Sequence, residues 1–267
     1  MSQRWRHYDR MAAHLAPAAE RLLARVGPMA GLVIDLGSGS GNGLRAAAAV
    51  GRPIVGIDLA AEQLAAARPI GVPLVRGDVT TLPIRTGSAA AAVSNFAVIF
   101  AADRPAVFAE VARGLRPGGR FAFTAWTDDG WPQPAREALA AHLDRRLPPF
   151  PTDLGRSATA EAMLVDAGFG SIEVEHGELA WTFADIDVAV DELSEAAGGL
   201  RLLRRDLEAQ GRWTEAAADL RAVIEPRCQP TGGAATDPDG DTDDVGAGPG
   251  PGVIVVDRYV LYVAEVP

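Results

Sequence analysis

Short apolar runs alternate with stretches of helical periodicity along the first half of the chain. Apolar runs bounded by Gly, Pro or a turn-forming polar residue predict five buried strands, at 32–36, 53–58, 72–76, 90–95 and 120–126. Apolar residues at helical spacing predict the helices between them, at 42–50, 60–68 and 103–114. Asp103 is predicted to be the N-cap of the last of these helices. Strands that alternate with helices at this interval indicate a parallel sheet with helices on both faces.

Helical periodicity dominates the second half of the chain. Proline residues bracket a predicted helix at about 135–146. A second predicted helix, at 158–167, ends before Gly168 in the way that a C′ glycine ends a helix. Residues 185–226 predict two amphipathic helices broken near Gly211.

Two further strands are predicted, at 170–183 and 253–263, and we expect them to pair with each other. Residues 230–252 are rich in Gly, Pro, Thr and Asp and carry no apolar period, so they predict a flexible acidic loop. We therefore expect an N-terminal helix, an α/β core and a C-terminal part that joins cap helices to strands, at 1–30, 31–126 and 127–267.

The composition is that of an ordinary globular protein, with 267 residues of which 48% are hydrophobic and 22% are charged. The charge is uneven, because residues 1–160 carry a net charge of +5 and residues 161–267 carry one of −15. The acidic part repels phosphate backbones, and the basic residues of the first part are scattered. We therefore expect no nucleic-acid partner.

The longest uncharged stretch, 86–102, has 17 residues and includes polar side chains, so it is too short and too polar to span a membrane. Charged residues interrupt the first 26 residues, and we expect no secretory signal there. The single cysteine, Cys228, cannot form an internal disulfide. These observations predict a cytoplasmic protein without membrane association.

A strand that runs into a glycine-rich turn and then a helix, VIDLGSGSGNG at 33–43, is the most informative segment. Its glycines let the backbone turn sharply and approach a ligand closely. The dinucleotide fingerprint needs a glycine at position 42, which is Asn, so an NAD-dependent reductase is not favoured. Asp35, at the end of the first strand, suits a ligand with a cationic amine beside the loop.

Two further carboxylates follow the next two strands. Asp58 ends the second strand, where its pair of oxygens can accept from both hydroxyls of a ribose, and Asp78 follows the third strand. Taken singly, each of the three aspartates is as consistent with a helix cap or a turn as with a ligand. Together with the glycine loop they predict a ligand site, because all lie at the carboxyl ends of parallel strands.

Four stretches occur in an order and spacing typical of one enzyme family: VIDLGSGSGNG, VGIDLA, RGDVTTLPIRTGSAAAAVSNF and LRPGGRFAFTAW. On these motifs, residues 30–126 resemble a class I S-adenosylmethionine-dependent methyltransferase. The resemblance implies a doubly wound, Rossmann-like and mostly parallel seven-stranded sheet, with the last strand antiparallel and a helical cap. It also implies S-adenosylmethionine as the cofactor of the core at 31–126.

The resemblance further implies a set of cofactor-binding residues. Those around the methionine part are Asp35, Gly37, Ser38, Gly39 and Gly41. Those around the ribose and the adenine are Asp58, Leu59, Asp78 and Val79. Asn95 and Phe96 would lie by the methyl donor. The N-terminal segment WRHYD resembles the W-x-x-Y-D entry segment of the family, which implies that Tyr8 belongs to a lid.

The region after the fifth strand is similar to small-molecule methyltransferases of the quinone-biosynthesis and natural-product type. No general base is visible, because Ile99 and Phe100 stand where many such enzymes have histidine. Holding the two reactants in the correct orientation can by itself lower the reaction barrier by about 7 to 11 kcal/mol. Methyl transfer is therefore possible without a general base. We expect O- or C-methylation of an aromatic, quinone-like or polyketide-like molecule by a monomer or homodimer. The alternative is a catalytically inactive S-adenosylmethionine-binding scaffold or sensor.

An acidic run that begins at Asp237 suggests a calcium loop at first sight. The EF-hand pattern requires Gly at its sixth position and Glu at its twelfth, where this chain has Thr242 and Gly248. We therefore expect no metal site in this segment.

Overall fold

The structure is a computed structural model that describes residues 3–148, 150–196, 198–230 and 252–267, with side chains described from Met11 onward except at 196 and 198. The expected flexible loop at 230–252 lies outside these residues apart from its two ends. The calcium-like run that begins at Asp237 lies outside them as well.

The described residues form one mixed sheet of eight strands, ordered β3-β2-β1-β4-β5-β8-β6 with β7 paired to β8. The strands are β1 (Val33–Leu36), β2 (Ile54–Asp58), β3 (Leu74–Arg76), β4 (Ala89–Ser94), β5 (Leu115–Trp126), β6 (Ile172–Phe183), β7 (Cys228–Pro230) and β8 (Val253–Glu265). The first five strands run parallel to one another, and β8 runs antiparallel to β5 and β7. The predicted doubly wound, mostly parallel sheet is confirmed.

The strand count differs from the expected seven because the short strand Cys228–Pro230 pairs with residues 253–255. A run of three residues that contains a proline is too short to show a strand pattern in the sequence. The expected pairing of the last two long strands is present. Glu265 exchanges backbone hydrogen bonds with Gly170 and Ser171, and Gly177 contacts Tyr259, so β6 and β8 run antiparallel.

The helices with their bounds are α1 (Gln3–Val26), α2 (Asn42–Ala49), α3 (Ala61–Ala67), α4 (Arg104–Gly114), α5 (Pro132–Ala140), α6 (Ser157–Asp166), α7 (Ile186–Ala196), α8 (Gly198–Ala209) and α9 (Trp213–Ile224). Asp103 caps α4 as predicted, with its Oδ1 accepting the N–H of Ala106 at 2.9 Å. Gly168, just after α6, has a φ of +92°, which glycine adopts at little steric cost.

Two helical predictions were wrong in detail. The segment 185–226 holds three helices rather than two, because adjacent glycines at 198 and 199 open α8 and weaken a continuous helix. The helix predicted at 135–146 begins at Pro132 and ends at Ala140. Proline needs no N–H in the first turn of a helix, so the prolines of this region start α5 instead of preceding it.

The chain divides into two compact units. The α/β unit comprises Ala12–Gly130, Pro151–Leu179 and Arg258–Pro267, and the helical unit comprises Met1–Met11, Trp131–Phe150 and Ala180–Asp257. Helix α1 and strands β6 and β8 each contribute residues to both units. The three-part division expected from the sequence stays a prediction.

The core of the α/β unit surrounds the central strands. All residues of β1 and β4 are buried, as expected where helices cover both faces of a parallel sheet. On β5, the rings of Phe121 and Phe123 lie 5.0 Å apart, and Phe108 of α4 packs against both. The glycine loop and the strand ends around it are therefore supported by a closely packed layer.

The helical unit has its own apolar core, with Leu193, Leu203, Leu207 and Leu220 buried. The rings of Trp131 and Trp181 meet edge to face at 5.4 Å. Within the described ranges, no helix combines the length and the apolar character that a membrane crossing requires.

Candidate functional site

The predicted site residues other than Tyr8 lie at or just after the carboxyl ends of four adjacent strands. Strand β1 pairs in parallel with β2 and β4, and β2 pairs in parallel with β3. Their carboxyl ends therefore meet, in the place where open α/β sheets bind ligands. The structure thus brings together Asp35, Gly37, Ser38, Gly39, Gly41, Asp58, Leu59, Asp78, Val79, Asn95 and Phe96 at this edge.

Three loop glycines have backbone conformations that disfavour other residues. The φ angles of Gly37, Gly39 and Gly41 are +63°, +55° and +99°. A Cβ at Gly37 would lie 2.4 Å from the Cβ of Ala97, and one at Gly41 would lie 2.3 Å from Cδ1 of Ile70. The loop therefore depends on glycine both for its turns and for close packing on its neighbours.

Asp58 ties the end of β2 to the glycine loop. Its Oδ2 accepts the N–H of Gly39 at 2.8 Å, and its Oδ1 accepts the N–H of Ala60 at 2.8 Å. These two bonds fix the plane of the carboxylate. Each carboxylate oxygen has a second lone pair, so Asp58 can still accept hydrogen bonds from a diol. The residue thus serves the loop and remains chemically suited to the predicted ribose contact.

Asp35 is a buried carboxyl under the start of α2. Its side chain is 2% exposed, and a Cβ at Gly43 would lie 2.5 Å from its Oδ2. Burial, reinforced by the negative charge of Asp58, raises the pKa of Asp35 to about 7. Its Oδ2 has no hydrogen-bond partner within the described structure. A cationic group nearby would favour the ionised form and lower this pKa.

Ser38 is a second buried polar residue of the loop. Its Oγ has no hydrogen-bond partner among the described residues, and a Cβ at Gly56 would lie 2.8 Å from it. Buried polar groups are normally paired, and exceptions concentrate at functional sites. The unpartnered atoms of Asp35 and Ser38 both belong to the segment 33–43, so the polar character of this loop fits a polar ligand.

Leu59, Asp78 and Val79 follow β2 and β3. The side chain of Leu59 is 63% exposed, which gives the sheet edge an apolar surface beside Asp58. Asp78 is exposed, and its Oδ1 accepts both the N–H of Thr80 at 2.9 Å and the hydroxyl of Thr80 at 2.8 Å. The hydrogen bond from the Thr80 N–H, and to a smaller extent the one from its hydroxyl, lower the pKa of Asp78 below its usual value. An apolar side chain at the same sheet edge as two carboxyl groups suits a nucleoside.

Asn95 and Phe96 form a tightly held turn after β4. Phe96 has a φ of +54°, the one positive value at a non-glycine residue among those described. Its N–H donates to Oγ1 of Thr124 at 2.9 Å, and its ring stacks on Trp126 with centroids 3.8 Å apart. Left-handed backbone at a bulky residue is costly and clusters at functional sites. The turn is therefore a rigid feature of the candidate site.

Tyr8 lies on helix α1, in the part of the chain that belongs to the helical unit. Its side chain is outside the described residues. Its role as a lid residue stays a prediction.

Four further residues shape the site without having been predicted to do so. Gly43 covers Asp35, Ala97 packs on Gly37, and Thr124 binds the Phe96 N–H. The fourth is Asn42, considered in the sequence only as a departure from the dinucleotide fingerprint, whose Nδ2 donates to the carbonyl of Ala12 at 2.7 Å. Gly43 belongs to the same glycine run and was open to prediction. The other three contacts join segments that are distant along the chain.

Comparison with known proteins agrees with this geometry. Residues 34–123 match the family model described as a methyltransferase domain, a range that runs from β1 into β5. Residues 34–123 therefore carry a methyltransferase domain, which is similar to those of class I S-adenosylmethionine-dependent enzymes. The predicted family resemblance is confirmed, and the glycine loop, Asp58 and Asp78 all lie inside the matched range.

Two relatives of the methyltransferase domain have named acceptors. A malonyl-[acyl-carrier protein] O-methyltransferase of Pectobacterium atrosepticum is 36% identical over 124 residues, which is 45% of this chain and 49% of that protein. A demethylmenaquinone methyltransferase of Corynebacterium kroppenstedtii is 36% identical over 88 residues, which is 33% of this chain and 38% of that protein. The similarity thus spans half or less of each relative.

A solved structure extends the similarity in fold beyond the methyltransferase domain. The crystal structure of a putative methyltransferase from Bacillus halodurans aligns with a TM-score of 0.60 at 15% identity. The alignment covers 94% of this chain and 99% of that one. At this identity the likeness concerns the fold alone, and it supports the α/β class of the whole chain.

Proposed function

We propose that the protein transfers the methyl group of S-adenosylmethionine to a small molecule, at an oxygen or carbon of an aromatic, quinone-like or polyketide-like acceptor. The observation that carries the proposal is the bond between Asp58 and the Gly39 N–H, which joins the glycine loop to the end of β2 inside the methyltransferase domain. The acceptors in the names of the two relatives, a malonyl-[acyl-carrier protein] and a demethylmenaquinone, include one of the quinone class.

The residues of the chain fit this cofactor. When bound, S-adenosylmethionine supplies an electrophilic methyl group on a sulfonium. We propose that Asp58 accepts from the ribose hydroxyls, that Leu59 packs on the adenine, and that Asp78 and Val79 bind the adenine edge. Asp35 and the loop residues Gly37, Ser38, Gly39 and Gly41 surround the methionine part in this proposal. Asp35 would balance its ammonium charge, which favours the ionised form of this buried acid.

Positioning is the main task of the protein in this proposal. The stacked rings of Phe96 and Trp126, with Tyr259 packed edge to face on Phe96 at 5.6 Å, give the end of β4 a rigid apolar wall. Such a wall excludes water and aligns flat acceptors. Tyr259 does not serve as a base at neutral pH, because burial raises the pKa of its hydroxyl further above its ordinary value. No catalytic side chain is assigned.

The cofactor and acceptor assignments are tested together with the purified protein. We expect calorimetry to show binding of S-adenosylmethionine and S-adenosylhomocysteine and no binding of NAD. We expect methyl-labelled cofactor to add one labelled methyl group to a member of a panel of phenols, hydroquinones and enolic compounds. Binding without transfer to any panel member would reject the acceptor class, and absence of binding would reject the cofactor assignment.

The lid role of Tyr8 is part of the same proposal. We expect Tyr8→Ala to lower single-turnover methylation more than cofactor affinity, because loss of a lid residue admits water and loosens alignment. Tyr8→Phe, which keeps the ring, is the matched control. An unchanged single-turnover rate in Tyr8→Ala would remove Tyr8 from the lid.

The remaining parts of the proposal concern partners and location. We propose a monomer or homodimer in the cytoplasm that binds no nucleic acid. The uneven charge supports the absence of nucleic acid, and the single cysteine supports a reducing compartment. The inactive scaffold is not favoured, because the matched family and its named relatives are methyltransferases.

A further inference from the structure

The chain contains two asparagines, and both donate to the backbone of helix α1. Nδ2 of Asn42, the first residue of α2, donates to the carbonyl of Ala12 at 2.7 Å. Nδ2 of Asn95, just after β4, donates to the carbonyl of Leu15 at 3.1 Å. Both donors and both acceptors belong to the α/β unit. Helix α1 is thus bound to both sides of the candidate cofactor edge.

The two acceptor carbonyls lie in the turn of α1 that precedes Pro17. Proline has no N–H, so the carbonyl of Ala13, which lies between the two acceptors, loses its helical partner, and the helix is loosened at this turn. Ala12 and Leu15 are three residues apart, so their carbonyls lie along one face of the helix. Two bonds on one face fix both the rotation and the position of α1.

A third side chain orients Asn95. The hydroxyl of Thr124, on β5, donates to Oδ1 of Asn95 at 3.2 Å. Oγ1 of Thr124 itself accepts the N–H of Phe96 at 2.9 Å. Thr124 is fully buried, so its hydroxyl has little freedom to take other partners. A continuous chain of hydrogen bonds therefore runs from β5 through the Asn95 turn to α1.

We propose that Asn42 and Asn95 are positioning residues that latch α1 over the cofactor edge, with Thr124 holding Asn95 in its donating orientation. The inference rests on the proposed function, because the latch adjoins the glycine loop on one side and the Phe96 turn on the other. A latched helix slows release of the bound cofactor and keeps water from it. Neither asparagine needs to touch the cofactor for this effect.

The C-terminal half of α1 is held separately, which supplies a matched control. Arg25 pairs with Glu173 of β6 at 2.6 Å and with Glu175 at 3.1 Å, and Arg21 also pairs with Glu175. These exposed or half-exposed ion pairs bind the helix to β6, the last strand in the sheet order, which is distant from β1 and β2. Glu173→Gln therefore weakens the anchoring of α1 without touching the latch.

The latch is tested by hydrogen exchange and by ligand release. In the ligand-free protein, we expect Asn42→Ala to speed amide exchange at residues 12–19 by about 3- to 10-fold, the effect of one lost hydrogen bond. We expect the dissociation rate constant of S-adenosylhomocysteine, measured by stopped flow, to rise by a similar factor. In Glu173→Gln, we expect the amide exchange rate of residues 12–19 and the dissociation rate constant of S-adenosylhomocysteine to stay within about twofold of wild type.

Substitutions at Thr124 test the relay independently. Thr124→Val keeps the shape and removes the hydroxyl, and we expect the same faster exchange and faster ligand release. Thr124→Ser restores the hydroxyl, and we expect it to return both quantities toward wild type. If Thr124→Val does not fold, as judged by circular dichroism, the Asn42→Ala result decides alone.

The outcomes separate the latch from the proposed function. Unchanged exchange at residues 12–19 and unchanged ligand release in Asn42→Ala would overturn the latch while leaving a methyltransferase intact. Absence of S-adenosylhomocysteine binding in the wild-type protein would overturn the proposed function, and the exchange measurement would still test whether Asn42 holds α1. Equal effects of Glu173→Gln and Asn42→Ala would also overturn the latch, because they would indicate general loosening of the helix.

Discussion

The α/β unit and the helical unit differ in what defines their geometry. At the cofactor edge of the α/β unit, backbone groups set the positions of side chains, as in the bonds from Gly39 and Ala60 to Asp58. In the helical unit, long side chains hold helices together. Arg204 of α8 pairs with Asp191 and Glu195 of α7 at 2.7 and 3.1 Å, and its guanidinium lies 4.7 Å above the ring of Trp213.

This difference explains why the sequence reveals the cofactor region and not the acceptor. Backbone-defined sites require glycines and short polar residues at fixed spacings, and such requirements are visible as motifs. Packing between helices requires only the right pattern and size of apolar residues, which many sequences satisfy. Substitutions in the two units separate the two kinds of dependence.

The largest effect is expected from the buried acid of the α/β unit. The pKa of Asp35 is about 7 in the folded protein and 3.8 in the unfolded chain, so the folded protein binds more protons between these values. Stability contributed by Asp35 is therefore present below about pH 4 and is lost as the pH rises to about 7. Asp35→Asn removes this dependence, and at pH 8 the variant should exceed wild type by up to about 4 kcal/mol.

The measurement is urea unfolding of wild type and Asp35→Asn from pH 4.5 to pH 8 without ligand. The difference between the two proteins isolates Asp35 from the other titrating groups. A difference that does not change with pH would show that this carboxyl titrates normally. The same variant should bind S-adenosylmethionine more weakly, since the amide carries no charge to balance an ammonium.

The second effect concerns cofactor affinity. Asp58→Ala removes two charge-assisted acceptors and also frees the N–H groups of Gly39 and Ala60, so we expect a loss of about 2 to 3 kcal/mol in binding of S-adenosylmethionine. Calorimetry measures it. Asp78→Ala is the comparison, and we expect a smaller loss because the hydrogen bonds of this exposed side chain within the described structure are to Thr80. Unchanged affinity in Asp58→Ala would reject the ribose contact.

The third prediction compares one helical glycine from each unit. Gly43→Ala places a Cβ 2.5 Å from Oδ2 of Asp35, and we expect it to destabilise the fold by about 1 to 3 kcal/mol. Gly199→Ala, in α8, meets no atom within 4 Å, and we expect it to stabilise the protein by about 0.5 kcal/mol through higher helix propensity. Denaturant unfolding measures both. Equal effects would mean that the contact with Asp35 relaxes freely.

Much of the α/β unit was predictable from the sequence. The five parallel strands, the Asp103 cap and the clustering of the aspartates beyond their strands all follow from local patterns with well-defined geometry. The loop glycines were predicted for the same reason. What a local pattern cannot show is a contact between distant segments, and the bond from Asn42 to Ala12 spans 30 positions while that from Asn95 to Leu15 spans 80.

The helical unit was less predictable for a related reason. The break between α7 and α8 was missed because the apolar period continues on both sides of the glycines. The added strand β7 was missed because pairing with β8, rather than its own three residues, makes it a strand. Two carboxylate partners of Arg204 lie on the neighbouring helix α7, and sequence spacing does not predict such pairs. The pair with Glu208, four residues further along the same helix, was predictable from its spacing.

The smallest effect is expected in the helical unit. Burial opposes the charge of Arg204, but its hydrogen bonds to Glu208 and Asp191 raise its pKa above the ordinary value. Arg204→Gln leaves three carboxylates without their shared cation, and we expect a loss of about 1 kcal/mol in unfolding free energy, since those carboxylates are partly exposed. Arg205→Gln, at the exposed neighbouring position, should change stability by less than about 0.5 kcal/mol.

Calorimetric affinity for S-adenosylmethionine should stay within about twofold of wild type in both variants, because neither position belongs to the cofactor edge. A clear loss of affinity in Arg204→Gln alone would show that the order of the helical unit is needed for the cofactor edge, and the contrast between the two units would no longer hold.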